Sequence, residues 1–142
     1  MLLLLLKKQI KMLNFYTWNE FDKSVEYIAN KCQFLEFSGI YGIPRGGLCL
    51  AVALSHKLKI NLISEPAKNS LIVDDVYETG ITLNNYKDIE GAMFYVLFSK
   101  IKPTWWNTVH ISEKKQWIVF PWENTLNLES DRNDYINKRG LS

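Results

Sequence analysis

Several features that would assign this chain to a common class are scarce or missing. It has only two cysteines, Cys32 and Cys49, in 142 residues. Both fall in segments with helical periodicity and show no metal-ligand spacing, so neither a disulfide scaffold nor a zinc site is expected. They read as reduced packing residues of a cytoplasmic protein. No basic run alternates with aromatic residues, and a net charge of +2 is too small to hold a nucleic acid. Ligand binding must therefore rest on local charge. Long apolar segments are also lacking. Leu2 to Leu6 is eye-catching, but five leucines cannot span a bilayer, and the lysines follow the run instead of preceding it. The run is expected to be the ragged start of the first helix or the product of an upstream start codon, and no membrane partner is expected. There is no internal repeat.

With 47% hydrophobic and 23% charged residues, the chain is expected to form one domain with a sizeable core. Phe21, Val25, Ile28, Ala29 and Cys32 share one helical face, with Thr17 or Asn19 available as a cap. Ile40-Tyr41-Gly42-Ile43 is a short strand running into Pro44-Arg45-Gly46-Gly47, and from Leu48 to Leu58 the helical period returns, with Leu50, Ala51, Leu54 and Leu58 on one side. Asn61-Leu62-Ile63 suggests a second short strand, and residues 65–69 a tight connection. A strand then starts at Ser70 or Leu71 and is followed by a helix over residues 80–89. Gly91 ends that turn, and Ala92 to Phe98 form another buried strand. Strands and helices alternating at this spacing imply a parallel sheet covered on both faces, with ligands at the carboxyl ends of its strands. That places residues 44–47, 74–82 and 99–102 along one rim. Beyond Pro103 tryptophans become frequent, a strand is predicted at Gln116 to Phe120, and the tail from Asn124 is polar. Asp131 to Asp134 are expected to fray, while Tyr135 and Ile136 are able to pack.

The most informative stretch runs from Leu71 to Leu83. An apolar, β-branched strand stops at two adjacent carboxylates, Asp74 and Asp75, which no buried strand could keep unpaired, so they are expected to mark its end. Thr79 and Thr82 then supply hydroxyls, and Gly80 lets the main chain approach a ligand. N–H groups of the turn and helix start can thus converge on a phosphate. The carboxylates suit sugar hydroxyls or a magnesium ion. The alternative is a surface turn with solvated acids and a capping Thr79.

The string Asp74-Asp75-Val76-Tyr77-Glu78-Thr79-Gly80-Ile81-Thr82-Leu83 resembles the phosphoribosyl-pyrophosphate (PRPP) motif of the type I phosphoribosyltransferases. The resemblance extends over residues 14–123 and is greatest to the xanthine, hypoxanthine and guanine enzymes. It implies a Rossmann-like α/β fold: a parallel twisted sheet flanked by helices (core about 14–103), a small hood (about 104–123) and the tail. It also implies transfer of phosphoribosyl from PRPP to an oxopurine, with Asp74, Asp75 and Glu78 as the catalytic acids. PRPP would be held by Arg45, Gly46, Gly47 and residues Asp74 to Thr82, including Val76, Tyr77, Gly80 and Ile81, with Mg2+ on Asp75. Arg45 offers a planar fork for pyrophosphate, Gly46 and Gly47 unobstructed N–H groups, and Asp74 a partner for the ribose hydroxyls. In the family the loop equivalent to residues 44–47 often carries a strained or cis peptide.

For the base, the resemblance implies Glu78 as proton manager, Lys100 as donor to the 6-oxygen, Trp117 as stacking ring, and Trp117 and Ile118 as part of a hood whose carbonyls read the 2-position. Glu78 reads equally well as a solvated loop acid, Lys100 as a surface lysine with an apolar stem, and Trp122 reads better as core. Members of the family are commonly dimers or tetramers, and no interface pattern here decides between them. One departure stands out. Active members carry a long mobile loop before the motif strand, whereas Ile63 to Leu71 leaves room only for a tight turn. A binding protein of the same fold, without turnover, is therefore the second expectation, and a pyrimidine or amine acceptor a third.

Overall fold

A computed structural model describes residues 1–123, the side chains of residues 9–11 excepted. The expectations for the tail, including fraying at Asp131 to Asp134, lie outside the described residues. Ten elements follow in order: α1 (Leu2–Lys11), β1 (Leu13–Phe15), α2 (Trp18–Cys32), β2 (Ile40–Gly42), α3 (Leu48–Leu58), β3 (Leu71–Tyr77), α4 (Ile81–Asn84), β4 (Met93–Ser99), β5 (Asn107–Ile111) and β6 (Trp117–Val119). Strands β2-β3-β4-β5 form one parallel sheet, and β1 pairs with β6 in a separate parallel ribbon.

The expected α/β architecture holds, and the helix faces explain it. In α2, Thr17 caps the first turn by accepting from the Glu20 N–H at 3.1 Å, and the buried face is Phe21, Ser24, Val25, Ile28, Ala29 and Cys32. Helix α3 buries Leu50, Ala51 and Leu54, with Leu58 packed at the margin. These faces cover one side of the sheet, where Leu71, Val73, Tyr95 and Leu97 meet them. Ile72, Phe94 and Val96 point to the other side and pack with Tyr41, Tyr77, Leu83 and Trp106. The alternation of β3 thus fills two cores, as a strand buried on both faces requires.

Five expectations need correction. Asp74 and Asp75 do not end the strand: β3 continues to Tyr77 with both acids buried inside it. The strand tolerates them because each carboxylate takes the next main-chain N–H, Asp75 N to Asp74 Oδ1 at 2.9 Å and Val76 N to Asp75 Oδ1 at 2.7 Å. The helix over 80–89 shrinks to the four residues of α4, after which i→i+3 bonds carry the chain to Ala92. Asn84 and Asn85 favour such turns over helix, and Gly91 closes them at φ 70°. The strand at 61–63 is only an isolated bridge between Leu62 and Ile40. The Leu2 to Leu6 run belongs not to the first core helix but to a separate helix, α1, joined through Met12 to β1. The segment assigned to the hood divides: residues 107–111 extend the main sheet as β5, and β6 turns away to pair with β1.

Candidate functional site

At the carboxyl ends of the strands, β3 outlasts β2. The last bond between them is Ile43 N to Val73 O at 2.9 Å, after which Pro44 leaves the ladder. The 44–47 loop folds back over the open edge of β3, and the peptide between Pro44 and Arg45 is cis, as the family resemblance implies. Two glycines permit the approach. A Cβ on Gly46 would overlap the Asp75 carboxylate, and one on Gly47 would meet Val73 O and stand 2.9 Å from Ile43 O. The loop is therefore pressed against the acidic strand. Arg45 is exposed at its tip.

Gly47 does not offer the free N–H expected of it, because that group donates to Ile43 O at 2.9 Å. Among the described residues, the N–H groups of Arg45 and Gly46 donate to no protein acceptor, nor do those of Thr79, Gly80, Ile81 and Thr82. The second set forms a turn in which Gly80 has φ 83°, a conformation a side chain would resist, with Asn84 N bonded back to Gly80 O at 2.8 Å. Thr79 and Ile81 are exposed there. Tyr77 takes part only through its main chain, since its ring is stacked on Trp106 at 3.8 Å in the second core.

The two acids face different ways. Asp75 lines a small recess open to solvent, together with Val76, Glu78, Trp117, Ile118, Phe120 and Glu123. Asp74 is 2% exposed and does not line it. Its charge is felt by Tyr41, whose hydroxyl is pushed up to about 12 by burial first, then by Tyr86, Glu65 and Asp74. Strict alternation lapses at Asp75-Val76, which both line the recess. Three of the expected base contacts, Glu78, Trp117 and Ile118, thus come together, although they lie about 40 residues apart in the chain. Glu123 joins them and was not assigned a role from the sequence. Trp122 is core as preferred, stacked on Phe120 at 4.8 Å and flanked by Trp18 and Phe21.

Lys100 is neither exposed nor among the residues lining the recess. Its Nζ donates to Glu113 O at 3.1 Å, to Lys114 O at 3.3 Å and to Gln116 O, so it ties the end of β4 to the loop that leads into β6. The tight turn before β3 sits at the opposite end of the sheet. Ser38, just before β2, donates its N–H to Asn69 O, and Asn69 N donates to Glu90 O, just before β4, both at 2.9 Å. Residues 67–70 are therefore held at the amino ends of the strands.

No family model matches the sequence, and no curated protein does. Solved structures do. The chain is similar to the purine phosphoribosyltransferase of Pyrococcus horikoshii Ot3, at 28% identity and a TM-score of 0.68, over 80% of this chain and 95% of that one. It is also similar to the Helicobacter pylori xanthine-guanine-hypoxanthine phosphoribosyltransferase, at 20% identity and TM-score 0.61, covering 83% and 99% of the two chains. A hypothetical protein from Neisseria gonorrhoeae with bound ppGpp matches at 18% identity and TM-score 0.63, covering 89% and 97%. The chain thus carries both the fold and the acidic motif of the type I phosphoribosyltransferases, with the loop before its motif strand cut down to a tight turn.

Proposed function

We propose that the protein transfers the phosphoribosyl group of PRPP to an oxopurine, giving a purine nucleoside monophosphate and pyrophosphate. One observation carries the reading: the acidic strand and the hood share a recess in which Asp75, Glu78 and Trp117 face a common space. The similarity to a purine phosphoribosyltransferase supports the same chemistry.

As the bond from the anomeric carbon to pyrophosphate breaks, positive charge grows on the sugar and negative charge on the leaving group, so both ends must be stabilised. Arg45 and the Gly46 N–H are placed to receive pyrophosphate oxygens. The amides of Thr79 to Thr82, with the two threonine hydroxyls, suit the 5-phosphate. The ribose hydroxyls, expected to fall to Asp74, we assign instead to Asp75, because Asp74 holds the Asp75 N–H and does not line the recess. Glu78 takes the proton that the base nitrogen loses on attack, and Trp117 stacks on the base. Mg2+ fits here in one form. Among the described residues no group of three or more potential ligands exists, so the protein alone makes no cage. Asp75 Oδ1 is bonded to Val76 N while the other oxygen faces Gly46, and that hard oxygen suits an ion carried mainly by phosphates. When bound, the ion would neutralise the leaving group.

The test is an assay with PRPP, magnesium and radiolabelled hypoxanthine, xanthine and guanine; no labelled nucleotide from any base removes the enzyme reading. The second reading, a regulatory protein that binds PRPP or a nucleotide without turnover, is favoured by the position of residues 67–70, which leaves the recess without the usual covering loop. The Neisseria protein of this fold, with bound ppGpp, supports it. Calorimetry separates the two: binding without product selects the second.

A further inference from the structure

Helix α1 is built unlike the rest of the molecule. Its first five residues are all leucine, and Leu2, Leu3 and Leu4 are 72%, 65% and 71% exposed, with Leu5 and Leu6 at 55% and 46%. Five consecutive leucines go more than once round a helix, so no single protein face can cover them, and a helix apolar on all sides needs apolar surroundings on all sides. Patches of this kind are uncommon on a soluble surface unless they bind something. Lys7 and Lys8 follow directly, both exposed, and the helix contains no acidic residue.

We infer that α1 is a docking element for an anionic lipid surface. The leucine section rises roughly 7.5 Å, so even inserted end-on it would enter only the outer part of one leaflet and fall far short of a span. Among the described residues no helix is long and apolar enough to cross a membrane. The lysines would then stand at the level of the headgroups, where their charge complements acidic lipid. A second copy of the chain is the weaker occupant. Pairing of two helices buries a stripe and leaves the other leucines wet, and side-by-side copies would bring lysines together with no acid of the helix to offset them. Only Met12 separates α1 from β1, whose partner β6 forms a wall of the recess, so docking would hold the candidate site close to the lipid surface.

The test is sedimentation of the full chain with vesicles of phosphatidylcholine containing phosphatidylglycerol, and with phosphatidylcholine alone. Binding to the anionic vesicles is expected, weakened roughly fivefold for each of Lys7→Gln and Lys8→Gln, reduced by salt, and lost in the double variant Leu3→Gln with Leu5→Gln. The exposure of these side chains means that the variants should fold, and unchanged circular dichroism and melting would verify it. No binding to either vesicle overturns the inference, as does equal binding to both. A concentration-dependent dimer that the leucine variant dissociates, without vesicle binding, overturns it in favour of a second copy.

Discussion

Replacing Gly46 by alanine tests how closely the 44–47 loop and the acidic strand are fitted. The new Cβ would lie 2.8 Å from Asp75 Oδ1 and closer still to the rest of that carboxylate, too near for any of these atoms to remain in place. Either the loop retreats or the carboxylate turns. Turning it breaks the 2.7 Å bond from Val76 N in a site where Asp75 is only 8% exposed, leaving a buried donor unsatisfied. Such a loss costs about 2 kcal/mol, which in a domain of this size lowers Tm by roughly 6–8 °C. Retreat of the loop spares stability but withdraws Arg45 and the Gly46 N–H, so PRPP-magnesium affinity should fall at least about tenfold, or about 1.4 kcal/mol. Calorimetric titration with PRPP and thermal melting together capture both routes. Gly47→Ala provides the contrast, because its Cβ would meet main-chain atoms of Val73 and Ile43 that cannot rotate aside; it should compromise folding itself. If Gly46→Ala melts within about 1 °C of the parent and binds PRPP equally well, the close approach of loop and acid is not what shapes the site.

Trp117→Ala should weaken binding of GMP or IMP roughly tenfold or more while leaving pyrophosphate binding intact, measured by calorimetry with each ligand. Lys100→Met removes the ammonium that three loop carbonyls share; a stability loss of about 2–3 kcal/mol and faster proteolysis in residues 112–116 are expected. His110 lies on the exposed edge of β5 with its ring against Phe98 and the Ser24 hydroxyl, and the partial desolvation of that ring pushes its pKa down despite the opposing pull of Glu20. A folded-state pKa below the unfolded value means the unfolded chain takes up the proton first, so stability should decline as pH drops through about 6.5 and flatten below the folded value. His110→Gln should flatten that part of the melting profile.

The side of the candidate site that we assign to phosphate was more legible in the sequence than the side we assign to the base, for a physical reason. Thr79, Gly80 and Thr82 form a local turn whose conformation is written in adjacent residues, directly after the strand that carries the acids. Their strand could also be read from its apolar run, though not its length, since the self-capping of Asp74 and Asp75 is a side-chain device with no periodicity. The base wall needs β6 to leave the sheet and pair with β1. Strand β1 has three residues, partly or fully exposed, and no pattern to announce it. Strand β5 was missed because its burial is partial at Asn107 to Val109 and ends in exposed His110 and Ile111, as suits a sheet edge. Lys100 illustrates a further limit. A lysine at a strand end reads alike whether it faces a ligand, the solvent or a clasp of carbonyls.

That clasp bears on how the pocket can operate. In a phosphoribosyltransferase with a long loop, closure excludes water once the substrates are in place. Lys68 and Asn69 are bonded to Ser38 and Glu90 at the far end of the sheet, so the turn before β3 cannot reach Asp75 without breaking those bonds. The hood overhangs the correct end, but Lys100 holds its approach loop through three carbonyls at once, and a segment fixed in that way is a wall. The Trp117 side of the recess, which we assign to the base, is therefore preformed, while Arg45 and Thr79 stay exposed to solvent. Ordering costs at the base are already met, and at the phosphates nothing displaces water except the ligand. On the proposed reading, affinity for a nucleotide should accordingly be less sensitive to the short turn than rate acceleration, which depends on a dry reaction centre.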